Sequence, residues 1–309
     1  MGHQKKNDEH RPDLSYALIT PARNEADLIE GVLKSVIAQT FRPVKWVIVS
    51  DGSDDGTDEI VLRYAEGRDW IELLRLPEHR ERNFAAKATA IDAGLERLKG
   101  IDYDIVGNLD ADVTFGADYF SYLIGKFEEL PQLGVAGTHY TERDGRFHSF
   151  HNSRMSADHV NGAVQMFRRE CFEQVGGYTP IRGGGIDWVA VTTARMKGWM
   201  TRSFGDQIFE HHRPIGTAET NSIGSRFHYG RKDYFLGGHP LWQLARAGFQ
   251  MVRKPYVIGG LALFCGYWWS WLTGVERPIS KELMQFHRAE QLERLKKMLF
   301  LSGRSNARS

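Results

Sequence analysis

The sequence predicts an α/β fold: a mostly parallel sheet covered by helices on both faces, followed by a helical C-terminal extension. Three observations carry this. Short apolar runs at Tyr16–Thr20 and Lys45–Ser50 each end in a polar loop, and each loop opens a segment with helical spacing. The links between these units are short, as parallel strands joined by crossover helices require. A hydrophobic fraction of 41% against 26% charged residues, over 309 residues, suits a folded chain with a sizeable core.

In order along the chain, the run Tyr16–Thr20 passes into Pro21-Ala22-Arg23-Asn24-Glu25. A helix is predicted over Ala26–Ala38, where Leu28, Ile29, Val32, Leu33, Val36 and Ile37 gather toward one face. The strand Lys45–Ser50 passes into Asp51-Gly52-Ser53-Asp54-Asp55-Gly56-Thr57, and a second helix follows over Asp58–Ala65. In open parallel sheets the ligand crevice lies beyond the carboxyl ends of the strands, where both loops fall. Asp51 suits a hydrogen bond from a nucleobase N–H, whereas Asp54 and Asp55 suit a turn and a helix start. A third short strand at Ile71–Leu74 precedes an Ala-rich helix that begins near Phe84, with Arg82 and Lys87 as cations for a diphosphate or for a solvated helix surface.

Ile105 and Val106 then lead into Asn108, Asp110 and Asp112. Two carboxylates one residue apart at a strand end suit a hard, oxygen-ligand cation such as Mg²⁺ or Mn²⁺. The same spacing also serves a surface turn. Beyond it come an amphipathic helix over Tyr119–Leu130, short strands at Val135–Thr138 and Val160–Phe167, and the triplet Gly183-Gly184-Gly185 before Ile186-Asp187-Trp188. Asp187 reads either as a helix-start carboxylate or as a proton acceptor for an incoming hydroxyl. A strand at Ser203–Phe209 ends in Glu210-His211-His212-Arg213. Adjacent residues on a strand face opposite ways, so one imidazole completes a metal shell. His212 is the expected ligand, and Arg213 is expected to neutralise phosphate charge.

Several classes are disfavoured. With 40 basic and 39 acidic residues the formal charge is +1, which offers no signal for nucleic acid. Cys171 and Cys265, in apolar surroundings, make neither a disulfide framework nor a zinc cluster. Neither strand-end loop carries the glycine fingerprint of a dinucleotide site or a P-loop. Residues 1–13 are polar, lack the apolar core of a signal peptide and read as a disordered lead-in.

Taken in order, TPARNE, VIVSDGSDDGT, NFAAKATAIDAG, NLDADV and the late GGGIDW and EHHR make the chain resemble the family 2 glycosyltransferases with the GT-A fold, over about residues 14–215. The resemblance implies that Pro21, Arg23 and Glu25 lie near the nucleoside and that Asp51 reads the base. It implies Mg²⁺ or Mn²⁺ on Asp110 and Asp112, a basic contact from Lys87, and Asp187 as the catalytic base of an inverting transfer. The donor would be a nucleoside-diphosphate sugar, with UDP favoured over GDP or dTDP. The acceptor would be a hydroxyl of a glycan or a lipid-linked molecule. Two departures from the family pattern stand out: Ile186 occupies the place where an acidic residue commonly precedes the catalytic Asp, and Arg23 stands where an aromatic of the first loop often stacks near the nucleobase. They keep open a sugar-nucleotide-binding module without transfer activity. A sugar nucleotidyltransferase and a glycoside hydrolase are weaker alternatives.

Residues 216–309 read as a helical extension. Tyr256–Leu272 is strongly apolar and rich in aromatics, broken by glycines, and near the lower length limit of a membrane span. Tyr267, Trp268, Trp269 and Trp271 suit an interface, and Arg253, Lys254, Arg277 and Lys281 flank the stretch. Peripheral attachment at the inner face of the cytoplasmic membrane is therefore expected, with a buried helix as the bland alternative. A charged amphipathic helix over Glu282–Phe300 suits a cover or a homo-oligomer contact.

Overall fold

The computed structural model describes residues 12–77, 84–142, 145, 147–148, 158–213 and 222–305. Residues 1–11, Arg82 and most of the expected turn at 143–146 lie outside them. The first half follows the anticipated rhythm: β1 (Tyr16–Ala22), α1 (Ile29–Ile37), β2 (Lys45–Asp51), α2 (Thr57–Ala65), β3 (Ile71–Leu76), α3 (Phe84–Arg97) and β4 (Ile105–Leu109). These four strands are mutually parallel in the order β3-β2-β1-β4. Consecutive residues of β1 and β2 are buried on both faces. Tyr16, Leu18, Trp46 and Ile48 pack on one side, while Ala17, Ile19, Val47 and Val49 pack on the other. Such unbroken burial is what a parallel sheet covered twice requires.

The second half is mixed. After β5 (Val113–Phe115) and α4 (Tyr119–Glu129) come β6 (Leu133–Glu142), β7 (Phe147–His148), β8 (Val164–Arg168), α5 (Arg169–Val175), α6 (Ile186–Met196) and β9 (Met200–His211). β8 lies antiparallel between β4 and β6, β9 runs parallel to β6, and β5 closes that edge antiparallel to β9. β9 reaches two residues beyond the expected Phe209, so His211 pairs with Val113. This pairing brings the end of β9 beside the turn that follows β4.

Beyond the sheet lie four helices: α7 (Ser222–Phe235), α8 (Pro240–Met251), α9 (Ile258–Leu272) and α10 (Lys281–Ser305). α10 returns to the sheet side and fastens to α6. Arg195 makes two bonds to Glu290, at 2.8 and 3.1 Å, and the Trp188 and His287 rings meet edge to face at 4.4 Å. Burial, with the Arg294, Arg195 and Arg288 charges around it, pushes the His287 pKa down to about 3. The extension thus packs against α6, the helix that carries Asp187.

Candidate active site

The loops after β1 and β2 are clasped together. Asn24 Nδ2 donates to Asp54 Oδ1 at 2.9 Å, and the Asp54 amide donates to Asn24 Oδ1 at 3.0 Å. The amide of Ala26 donates to Asp55 Oδ2 at 2.9 Å, and that of Glu25 to Thr57 Oγ1 at 2.8 Å. Asp54 and Asp55 thus act in turn and helix-start geometry. Asp51, the last residue of β2, is buried, with Arg23 Nη1 3.7 Å from its carboxylate. Both side chains stand at the crevice end of the parallel sheet.

Asp110, Asp112 and His211 converge, with one ligand atom of each within 4.8 Å of the other two. His211, not His212, is therefore the imidazole at the carboxylate pair, which corrects the expectation from sequence. The reason is strand alternation: Phe209 and His211 turn inward and Glu210 outward. His212 instead places Nε2 2.8 Å from Thr114 Oγ1, and its amide donates to the Asp112 carbonyl. The His211 Nδ1 is bonded to the Arg213 carbonyl, which only accepts. That contact uses Nδ1–H and leaves Nε2 facing Asp112, 3.6 Å from Oδ1. The same Asp112 Oδ1 is buried without a hydrogen-bond partner. A buried carboxylate oxygen without a hydrogen bond, beside an imidazole nitrogen and a second carboxylate, is a donor set that fits a divalent cation.

Lys87, on the first turn of α3, donates to Asp110 Oδ1 at 2.5 Å and to the Gly162 carbonyl at 3.5 Å. Burial works to lower its pKa, but Asp110, Asp187 and Asp112 together outweigh this and raise it, so Lys87 is a cation. Burial raises the Asp110 pKa and Asp112 adds to the effect, with Lys87 and His211 opposing. One ammonium thus faces three carboxylates, a deficit of positive charge that a divalent ion would fill.

Asp187 lies in the first turn of α6. It packs so closely on Gly162 that a Cβ there would come 2.8 Å from Asp187 Oδ2. Gly162 also accepts from Asn108 Nδ2 at 2.9 Å, and the next residue, Ala163, accepts from the Asp110 amide at 2.8 Å. The 161–163 turn therefore spaces the Asp110 strand end from Asp187. His159 is close enough to Asp187 for that charge to pull its pKa upward. Burial dominates, with Arg195, Arg294 and Lys232 adding to it, and lowers the value to about 4.

Arg213 and Glu25, assigned separately to the nucleotide, are partners: Nη1 and Nη2 each lie 2.6 Å from a Glu25 carboxylate oxygen. The pair ties the end of β9 to the loop after β1. Pro21, near the end of β1, pairs in register with Val49 of β2. Sequence reasoning weighs His211 against His212 and prefers the latter, and it assigns no role to Gly162 or His159. Parity with Phe209 was the signal for His211. Gly162 is brought to Asp187 by the β4–β8 pairing and the Asn108 bond, and His159 is held by Ser203 of β9, contacts between segments distant in sequence.

The match to the model of the glycosyl transferase family 2 spans residues 17–186, more than half of the chain. The chain belongs to this family. Poly-beta-1,6-N-acetyl-D-glucosamine synthase of Staphylococcus aureus (strain MSSA476) is 36% identical over 112 residues, 36% of this chain and 25% of the synthase. The Staphylococcus epidermidis synthase of the same name is 29% identical over 127 residues, 41% of this chain and 29% of that protein. The chain therefore spans about a quarter of the length of these curated relatives. Among solved structures, mannosyltransferase PcManGT from Pyrobaculum calidifontis, in complex with GDP-Man and Mn²⁺, superposes with a TM-score of 0.56 at 21% identity, covering 97% of this chain and 82% of that one. S. aureus TarS in complex with UDP-GlcNAc gives 0.52 at 13% identity, over 89% and 78%. These likenesses establish a GT-A-like fold with a C-terminal helical extension.

Proposed function

We propose that this protein transfers a glycosyl unit from a nucleoside-diphosphate sugar to a hydroxyl of a glycan or lipid-linked acceptor, with inversion at the anomeric carbon. The observation that carries the reading is the placement of Asp187 across the Gly162 turn from the Asp110–Asp112–His211 cluster, with Lys87 sensing all three carboxylates. Family membership supports glycosyl transfer as the reaction type.

Asp110, Asp112 and His211 would hold Mg²⁺ or Mn²⁺, which supplies charge neutralisation for the departing diphosphate. Lys87 adds a fixed cation beside the same oxygens, so stabilisation is in place before charge develops. Asp51 accepts an N–H from the base, with uracil favoured, and Arg23 orients that carboxylate. Glu25 and Arg213 hold the two flanking loops together. Asp187 takes the proton of the acceptor hydroxyl as its oxygen attacks the anomeric carbon from the face opposite the leaving diphosphate. The C–O bond to the acceptor forms as the C–O bond to the diphosphate breaks, and the proton passes to Asp187. Inversion of an α-linked donor yields a β-linked product, the linkage in the name of the staphylococcal synthases.

The test is NMR of the product formed from an α-linked sugar nucleotide. A β-anomer is expected, and a retained α-anomer would overturn the mechanism. Asp187→Asn should lower kcat by roughly 10²–10⁴ with donor binding preserved. Donor binding by both proteins without transfer by either, across a broad acceptor screen, would favour a binding module.

A further inference from the structure

The helix pair α8–α9 turns much of its apolar surface outward. On α8, Gln243 and Gln250 are buried, while Leu241, Leu244 and the C-capping Val252 are exposed, Val252 at 70%. On α9 the inward face carries Gly259, Gly260, Gly266 and Ser270 beside Leu263 and Tyr267, and the outward face carries Leu261, Trp269 and Leu272, the last at 71%. The inward polar groups are used internally. Gln243 donates to the Leu263 carbonyl at 3.0 Å, and Ser270 to that of Gly266 at 3.0 Å. The glycines let α9 approach α7 backbone to backbone: a Cβ on Gly266 would lie 2.0 Å from the Phe227 carbonyl oxygen, and one on Gly230 would lie 2.0 Å from that of Leu263. Helices joined at close range through small residues, with several large apolar side chains turned outward, follow the packing logic of a lipid environment.

We propose that the outward faces of α8 and α9 seat the protein on an anionic lipid bilayer, lying in its plane. Two further observations select a bilayer and its sign. The segment 240–275 contains Arg246, Arg253 and Lys254 but no Asp or Glu, in a chain with 39 acidic residues among 309. Arg246 is engaged by Asp233, whereas Arg253 and Lys254 are exposed at the α8–α9 turn, directly beside Val252. Each such cation near an anionic surface strengthens attachment. The orientation follows from length. The 15 residues of α9 span about 22 Å at 1.5 Å per residue, short of the roughly 30 Å hydrocarbon core. Among the described residues no helix is long and apolar enough to cross a membrane. The sequence expectation of surface attachment thus acquires a defined face, and the proposal stands independently of the transfer chemistry.

The seat is one helix removed from Asp187. Phe227 and Gly230 of α7 contact α9, and Lys232 of α7 and Leu236, just past its end, approach Gly185, so that a Cβ on Gly185 would lie 3.1 and 2.9 Å from them. An acceptor held in the bilayer would meet the cleft from this side.

The experiment is flotation of the full chain with phosphatidylcholine vesicles, with and without phosphatidylglycerol, alongside quenching of tryptophan fluorescence by brominated lipid. Binding to the anionic vesicles and quenching are expected. Leu261→Gln/Trp269→Gln should lower binding at least tenfold. Arg253→Gln/Lys254→Gln should lower it about fivefold per cation on anionic vesicles only. Circular dichroism melting checks that both variants fold, which their exposure favours. Absence of flotation by the wild type, or binding unchanged in the folded apolar variant, overturns the proposal. So does a wild-type dimer that ignores vesicles and dissociates on Leu261→Gln/Trp269→Gln, which would assign the face to a second copy of the chain.

Discussion

Lys87 donates to Asp110 at 2.5 Å, and two residues along the chain Asp112 keeps a buried oxygen with no donor at all. The two carboxylates are therefore unequal. Asp110 is charge-compensated by Lys87, whereas Asp112 faces His211 Nε2 at 3.6 Å. In this arrangement Lys87 limits repulsion within the cluster before any cation arrives, and a divalent ion must share Asp110 with it.

Replacement of Lys87 by Gln should separate these two roles. The variant keeps a donor but leaves Asp110, Asp112 and Asp187 without their ammonium. Without added metal its Tm should fall, because a buried pair has lost one partner. Added Mn²⁺ should recover a larger share of Tm than it adds to the wild type, since ligand binding to the native state stabilises it. Transfer activity should still drop roughly 10²-fold at saturating metal, as for the loss of one electrostatic contact to a leaving group. Equal Mn²⁺-induced Tm shifts in the two proteins would refute the shared-carboxylate reading.

The cluster also predicts an order among five substitutions. Asp110→Asn, Asp112→Asn and His211→Ala should each weaken Mn²⁺-supported binding of a nucleoside diphosphate by about 10-fold or more. His212→Ala, which loses a contact to Thr114, and Asp54→Asn, which loses a contact to Asn24, should change it less than about threefold. Isothermal titration with and without Mn²⁺ reads this directly. A His212 effect as large as that of His211 would dissolve the assignment.

The contrast between His211 and His212 shows where the sequence is legible and where it is not. β1, β2 and the helices after them are readable because apolar periodicity and loop chemistry are local, and each boundary falls within a few residues of the expected one. Asp110, Asp112 and Asp187 stand out for the same reason: each interrupts an apolar pattern at an element end. His211 depends on how far β9 extends against β5, a pairing between segments about a hundred residues apart. The Arg213–Glu25 pair joins opposite ends of the sheet-forming region and has no local signature. The outward apolar face of α8 is equally hidden, because periodicity reports that a helix has two faces but not which one meets the protein.

Gly162→Ala should impair chemistry more than binding. The added methyl would collide with the Asp187 side chain at 2.8–3.0 Å, in a turn already held by Asn108, so the carboxylate must move. A displacement on the order of 1 Å costs up to about 10²-fold in rate. The expected result is a kcat lowered 10–100-fold with nucleotide affinity in the presence of Mn²⁺ within about threefold of wild type. An unchanged kcat would show that Asp187 needs no such spacing.

Asp55 supplies a pH-dependent element of stability in the donor-side loops. Burial works to raise its pKa, but the Thr57 hydroxyl and the amides of Ala26 and Thr57 outweigh it, and the net value lies below the ordinary 3.8. A carboxylate whose folded pKa is depressed stabilises the fold above its unfolded pKa, and loses that contribution as pH falls through the folded value. The contribution should therefore be complete at pH 7, begin to fade near pH 4 and be lost as the pH falls through the lower folded value. Asp55→Asn keeps the size of the side chain but removes the charged acceptor, so it should cost roughly 1 kcal/mol near neutrality, or about 2 °C in Tm for a chain of this size. Because Asp55 is exposed, added salt should reduce the difference. Thermal melts of the two proteins between pH 7 and pH 3 should converge on the acid side. Parallel melting curves with a constant gap would mean that the Asp55 charge has no part in clasping the loops after β1 and β2.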